Sequence, residues 1–300
     1  MFSIIIPTLN NFNYLKLCVE SLKKNSKHTH QIIVHINVGA DETRNFLISN
    51  KIDFTFTEQN SGLCTGVNLA SKKAKYEYIM YAHDDFYFCP DWDVSIYDEI
   101  IKIGHKKFYL SSTLINTHNI DSLNCGTDFY DFDENKLLIN YKKHKFSDFQ
   151  GSTWAPHVVH KDYWDKVGGF SEEFFPGAGS DPDFNFKLWK NGVRIFKTVG
   201  NSKVYHFESK TLRDKKKYIY FDVSSIGSVS SKIFLKKWGI SIKFFKKHYL
   251  KANSLYAGEL NKPNINMVYL IELIICKFKY LYLKYLFSKF SGSKKLNNKK

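Results

Sequence analysis

Short apolar, β-prone runs alternate with helix-period segments through the first hundred residues, and this alternation constrains the fold more than any single motif. Phe2 to Ile6 is one such run, stopped by Pro7-Thr8-Leu9-Asn10. From Asn11 to Lys24, Leu15, Cys18, Val19 and Leu22 fall on one helical face. Ile32 to Ile36, Ile52 to Phe56 and Tyr78 to Tyr81 read as three further strands. Between them, Asp41 can cap a helix carrying Phe46 and Leu47, and Ser61-Gly62 opens a helix through Leu69 and Ala70. Such a pattern predicts an α/β fold, a mostly parallel Rossmann-like sheet with helices on both faces. Ligands of such sheets sit beyond the carboxyl ends of the strands. Those ends carry Pro7-Thr8-Asn10, Asn37-Gly39-Asp41, Glu58-Asn60 and His83-Asp84-Asp85.

The last of these is chemically the most pointed. A buried-strand pattern, Tyr78 to Ala82, ends in two adjacent carboxylates. Adjacent acids repel, so a cation or basic group is needed beside them unless they form a solvated turn. Hard oxygen ligands suit Mg²⁺ or Mn²⁺.

The chain resembles the GT-A glycosyltransferases, in particular the large inverting family 2. The matching residues are Ile4-Ile5-Ile6-Pro7-Thr8-Leu9-Asn10, Asn37-Val38-Gly39-Ala40-Asp41-Glu42-Thr43, Asn60-Ser61-Gly62-Leu63 and Gly66-Val67-Asn68. They continue with His83-Asp84-Asp85, Gly168-Gly169-Phe170, Ser180-Asp181-Pro182-Asp183 and Val204-Tyr205-His206-Phe207, in the family's order over residues 2–207. The resemblance implies a nucleotide-sugar donor held by Pro7, Thr8, Asn10, Asn37, Asn60, Gly62, Asn68 and Asp84. It implies a divalent metal, Mn²⁺ or Mg²⁺, on Asp85 and His206, and a general base at Asp181, with Asp183 as the alternative or support. Two positions depart from the family pattern. His83 replaces the first acid of the usual Asp-x-Asp, and Asn37 stands where an acid often follows the second strand.

The second half is expected to hold the acceptor and the chemistry. His160 to Val167 reads as a short helix closed by Gly168-Gly169. Asp181 before Pro182 reads as an N-cap followed by proline at the first helical position. A carboxylate there is held by the helix dipole, as a general base requires. Trp154 and His157 are candidates for the acceptor pocket, because sugars stack on aromatic faces, although a core role suits both types equally. His35 and His160 read as structural or surface residues.

Charge divides the chain. Residues 232–300 hold 16 lysines against two acids, Glu259 and Glu272, and account for nearly all of the net charge of +15. Met267 to Phe290 is also apolar and aromatic, but Glu272, Lys277, Lys279 and Lys284 interrupt it too often for a membrane-spanning helix. A helix on an anionic membrane surface with snorkelling lysines fits; so does a helix packed on the domain or between subunits. A long apolar segment inside the basic tail argues against nucleic acid as the partner. Five scattered cysteines without a CxxC pair argue against a disulfide framework or zinc site and for a reducing compartment. The N-terminus reads as a strand and not as a signal peptide.

The expected organisation is a catalytic domain over 1–230, with a nucleotide-sugar half at 1–105 and an acceptor half at 106–230, followed by a basic, apolar, helical region at 231–300. The expected activity is metal-dependent, inverting transfer of a sugar from a nucleotide-sugar to a glycan or glycolipid hydroxyl. The expected setting is surface polysaccharide assembly at the inner, cytoplasmic face of a membrane, with self-association as a further possibility. Two rivals share the fold features: a catalytically silent sugar-binding scaffold, and a metal-dependent nucleotidyltransferase. The latter would be expected to carry a Gly-rich basic loop after the first strand, which Pro7-Thr8-Leu9-Asn10 is not.

Overall fold

The computed structural model describes residues 1–39, 41–115, 123–143, 145–207 and 223–296, with side chains from 229 to 285 in the last stretch. Ala40 of the second motif and the side chains of 286–290 lie outside the described residues.

The expected alternation forms as β1 (Phe2–Thr8), α1 (Phe12–Asn25), β2 (Gln31–Asn37), α2 (Asp41–Ser49), β3 (Asp53–Thr57), α3 (Gly62–Ser71) and β4 (Tyr78–Tyr81). Strand β1 lies between β2 and β4 and is covered on both faces. Phe2, Ile4, Ile5 and Ile6 therefore expose no surface, and the strand reads as an unbroken apolar run. Each such side chain contributes about 1.5–3 kcal/mol by its removal from water. Helix α3 lies close against β2 because residue 66 is glycine: a Cβ there would come within 2.3 Å of the His35 ring.

The chain continues through β5 (Phe86–Phe88), α4 (Trp92–Ile103), β6 (Phe108–Ile115), α5 (Glu134–Asn140), β7 (Phe149–Gln150), β8 (His157–His160), α6 (Lys161–Val167), α7 (Ser180–Lys190) and β9 (Ile195–His206). The sheet runs β3-β2-β1-β4-β8-β6-β9-β5, with β7 also against β9. It is mixed. Strands β3, β2, β1 and β4 are parallel neighbours, as are β6 and β9, whereas β8, β5 and β7 pair antiparallel. The parallel half is the part whose strands are joined by helical crossovers.

This order builds one functional edge. Strands β1, β4, β6 and β9 end there, and the antiparallel β8 begins there, with Tyr81 opposite His157. The pairing of Phe86 with His206 brings the end of β9 beside the residues that follow β4.

After β9 come α8 (Val223–Trp238), α9 (Ile242–Phe244, continued by a wider turn over Phe245–Tyr249) and α10 (Met267–Leu296). The expected boundary at 230/231 falls inside α8. Phe234, Leu235, Phe244, Phe245 and Leu250 are buried in the same core as β1 and β4. The first part of the basic region is thus integral to the domain.

Candidate active site

The cleft at the functional edge is lined by Pro7, Thr8 and Leu9 from the end of β1, Asn37 from β2, and Tyr81, His83, Asp84 and Asp85 from and after β4. Its far wall is Leu63 together with the stretch Pro176 to Asp181. Its empty volume, open mouth included, is about 870 Å³.

Asp84 and Asp85 have different surroundings. Asp84 is buried and accepts a 2.7 Å hydrogen bond from the Thr8 hydroxyl, which joins the ends of β4 and β1. Asp85 is also buried, with the His206 Nε2 3.5 Å and the His83 Nδ1 3.9 Å from its Oδ1. One donor atom from each of the three lies within 4.8 Å of the others. The His206 Nε2 is buried without a hydrogen-bond partner among the described residues. The His83 ring stacks on Phe86, 4.9 Å between centroids, and burial pushes its pKa down to about 4, so it is neutral and able to donate a lone pair. Two imidazoles and a carboxylate converging in this way fit a divalent transition ion such as Mn²⁺. His83 is the member that sequence reasoning missed. In the sequence it reads as the loss of an acid, and only the β5–β9 pairing brings His206 beside it.

Asp181 faces the same cleft from helix α7. The helix begins two residues earlier than expected. Gly179, in the left-handed region at φ +81°, is the N-cap, and Asp181 lies inside the first turn without a capping bond. The cap expectation is corrected: the helix starts after Gly179, whose backbone takes a left-handed conformation that glycine adopts at no steric cost. The Asp181 Oδ1 is buried and has no hydrogen-bond partner among the described residues. Burial pushes the carboxyl pKa up from 3.8 to about 7.

Asp183, two residues on, is placed quite differently. It is fully buried and accepts from the Ser171 hydroxyl at 2.6 Å and the Trp238 indole N–H at 2.7 Å, with the Lys237 ammonium 3.1 Å away. Its oxygens are committed to tying α7 to α8, which leaves Asp181 as the carboxylate available to a substrate.

The remaining expected residues divide in the same manner. Asn37 lines the cleft, donates to the Asn60 side chain at 2.9 Å and accepts from the Ser61 backbone N–H at 2.9 Å. Asn60 in turn accepts from the Gly62 N–H at 3.0 Å, so these residues shape the turn into α3. Gly62 has φ +79° and a Cβ there would meet the Phe175 ring at 2.6 Å. Asn10 is exposed, with φ +49°, and is not part of the lining. Asn68 lies away from the cleft lining. Its amide clamps the Phe170 backbone N–H and C=O, both at 2.9 Å, and thereby holds the Gly168-Gly169-Phe170 turn.

Trp154 and His157 do not line the cleft either. Trp154 donates its indole N–H to the Ser112 carbonyl at 3.3 Å. His157 is fully buried beneath Asp181, with Nδ1 2.9 Å from the Tyr109 hydroxyl and 3.8 Å from the Asp181 Oδ1. Burial pushes its pKa down to about 3, so it sits as a neutral floor under Asp181. Of the two expected readings for His35 and His160, structural or surface, burial favours the structural one. His35 bonds Thr55, and His160 caps α6 by accepting from the Asp162 N–H.

In the sequence the wall Pro176-Gly177-Ala178-Gly179 reads only as a Gly-rich loop. The Leu63 N–H donates to the Pro176 carbonyl at 2.9 Å, and a Cβ on Gly177 would lie 2.8 Å from that of Leu63. The start of α3 and this loop therefore meet at a distance that only glycine allows.

The model of glycosyl transferase family 2 matches residues 3–156, half of the chain. The chain belongs to glycosyl transferase family 2. Among characterised proteins it is 23% identical, over 243 residues, to the chondroitin synthase of Pasteurella multocida. That match covers 69% of this chain and 24% of the synthase, so the chain spans about a quarter of that relative's length. Among solved structures, S. aureus TarS 1-349 aligns with a TM-score of 0.53 at 15% identity, covering 78% of this chain and 69% of that one. GalNAc-T7, solved with UDP, GalNAc and Mn²⁺, aligns with a TM-score of 0.54 at 14% identity, covering 80% and 50%. These likenesses place the fold among the GT-A glycosyltransferases.

Proposed function

We propose that the chain transfers a sugar from a nucleotide-diphosphate sugar to a hydroxyl of a glycan or glycolipid, with inversion at the anomeric carbon. The observation that carries this reading is one cleft lined by His83, Asp85 and Asp181, with His206 clustered beside His83 and Asp85 and with the buried Asp181 Oδ1 lacking a hydrogen-bond partner among the described residues. Structures of TarS with UDP and with UDP-GlcNAc, and of GalNAc-T7 with UDP and Mn²⁺, support a nucleotide-sugar donor and a divalent ion.

Asp85, His206 and His83 would hold the ion. Bound there, a divalent cation supplies positive charge to the departing diphosphate. Thr8 keeps Asp84 in place at the junction of β1 and β4, and Asn37 shapes the donor side of the cleft. Asp181 takes the proton of the acceptor hydroxyl while the acceptor oxygen bonds to the anomeric carbon and the bond to the diphosphate breaks. A carboxyl pushed up to about 7 matches a base working near neutral pH. We place the reaction in surface polysaccharide assembly, at the cytoplasmic face of a membrane that the basic C-terminal region would touch.

The test is a screen of UDP-, GDP-, dTDP- and CMP-sugars for Mn²⁺-dependent binding and slow donor hydrolysis. Binding of one donor class, with hydrolysis lost on chelation, is the expected result. Binding without any turnover, in the presence of a range of glycan acceptors, would instead indicate a silent scaffold.

A further inference from the structure

Helix α10 has two apolar faces, and the domain uses only one. On the inner face Tyr269 and Cys276 are buried and Leu273, Tyr280 and Leu283 are half-buried. The Tyr269 ring meets those of Phe244 and His248 at 5.0 and 5.1 Å. On the outer face Ile271, Ile274, Ile275, Phe278, Leu281 and Tyr282 are each 46–69% exposed. At about 100° per residue these six fill an arc of roughly 120° with no charged residue inside it.

The charges of the helix are sorted around that arc. Lys277 and Lys284 stand at one border and Lys279 at the other, all exposed. Glu272, the only acid in the sequence of α10, is turned inward. It is bonded to the Lys247 ammonium at 2.5 Å and lies 2.6 Å from the His248 Nε2. In the linear sequence Glu272 and Lys279 blur the amphipathic pattern. The packing removes the acid from the outer face and leaves an apolar strip edged by cations.

We propose that this outer face lies in the plane of a bilayer bearing anionic headgroups. The apolar strip would enter the acyl boundary while the bordering lysines reach up to the phosphates. This inference rests on the membrane placement proposed above and gives it a face and a lipid class. Spanning is not the mode, since none of the described helices is long and apolar enough to cross a membrane. A second copy of the chain is a poor occupant. It would bring lysine borders against lysine borders, and the one acid is already committed to Lys247 and His248.

The test is co-sedimentation of the full chain with phosphatidylcholine vesicles, with and without phosphatidylglycerol. Binding to the anionic vesicles should exceed binding to neutral ones by about tenfold or more, since three lysines border the apolar strip. Ile274→Glu with Phe278→Glu should abolish this binding and leave the melting temperature unchanged, because both side chains are already in solvent. Replacing Lys277, Lys279 and Lys284 by Gln should remove the anionic preference. Mn²⁺ and donor binding should persist in every variant, which separates failure of this inference from failure of the sugar-transfer reading. Undiminished sedimentation of the double Glu variant, or none by the parent chain, would overturn the proposal. So would a concentration-dependent dimer in sedimentation velocity that the double Glu variant loses, because the face would then belong to a second copy.

Discussion

Replacing Asp181 by Asn should make the protein both slower and more stable. The carboxyl pKa is pushed from 3.8 to about 7 because its Oδ1 is buried without a partner among the described residues. The folded state therefore holds the proton more tightly than the unfolded chain does. Native stability falls as pH rises from about 4 to about 7 and stays low above that. Each unit corresponds to about 1.4 kcal/mol, giving an upper bound of about 4 kcal/mol for the cost of the ionised form. A quarter of the side chain is exposed, and solvent screening reduces the figure to about 1–3 kcal/mol. Asn has the same shape and no charge, and no capping bond is lost because Gly179 is the cap. Asp181→Asn should thus raise the melting temperature at pH 8 by several degrees, and the gain should vanish toward pH 4. Transfer should fall by roughly 10²–10⁴-fold, the range for loss of a general base. In the parent protein kcat/KM should climb with pH through about 7. Paired melting curves and steady-state rates at pH 4, 6 and 8 measure all of this. A lower melting temperature at pH 8, or near-parental turnover, would refute the assignment of Asp181 as a desolvated base.

Asp183→Ala should act in the opposite sense, costing about 3–5 kcal/mol by leaving Lys237 and the Trp238 N–H without their buried acceptor, as urea denaturation would show. Asp85→Asn should weaken Mn²⁺ binding by at least about tenfold in titration calorimetry while leaving the melting temperature nearly unchanged; equal affinity would remove Asp85 from the cluster. Asn68→Ala should destabilise by about 2–3 kcal/mol through loss of two bonds to the Phe170 backbone, with donor affinity unaltered. A large loss of donor affinity in a folded Asn68→Ala protein would restore it to the nucleotide-sugar site.

Much of the fold was legible because it depends on local periodicity. Apolar runs of four to seven residues separated by amphipathic helices can hide their surfaces in few ways, and β1 to β4 lie within a residue or two of their expected limits. That Asp84, Asp85 and Asp181 lie at strand ends or a helix start, where a cleft lining can gather, was legible as well. The direction of β8 and the β5–β9 pairing were not, because strand neighbours distant in sequence are chosen by packing and leave no local signal.

Those non-local choices decided the site. His83 joins Asp85 and His206 in one cluster only because Phe86 pairs with His206. Asp183 and Asp181 carry the same functional group two positions apart. One is closed off by Trp238 and Lys237 from a helix some fifty residues later, and the other is left facing the cleft. Asn68 looked like a donor ligand in the linear motif but bonds Phe170, about a hundred residues away. In the basic tail, the sequence by itself determined that charge and apolar surface share one helix. Only the tertiary structure decided which face carries each, because Glu272 finds Lys247 and His248 on the turn that continues α9 and turns inward.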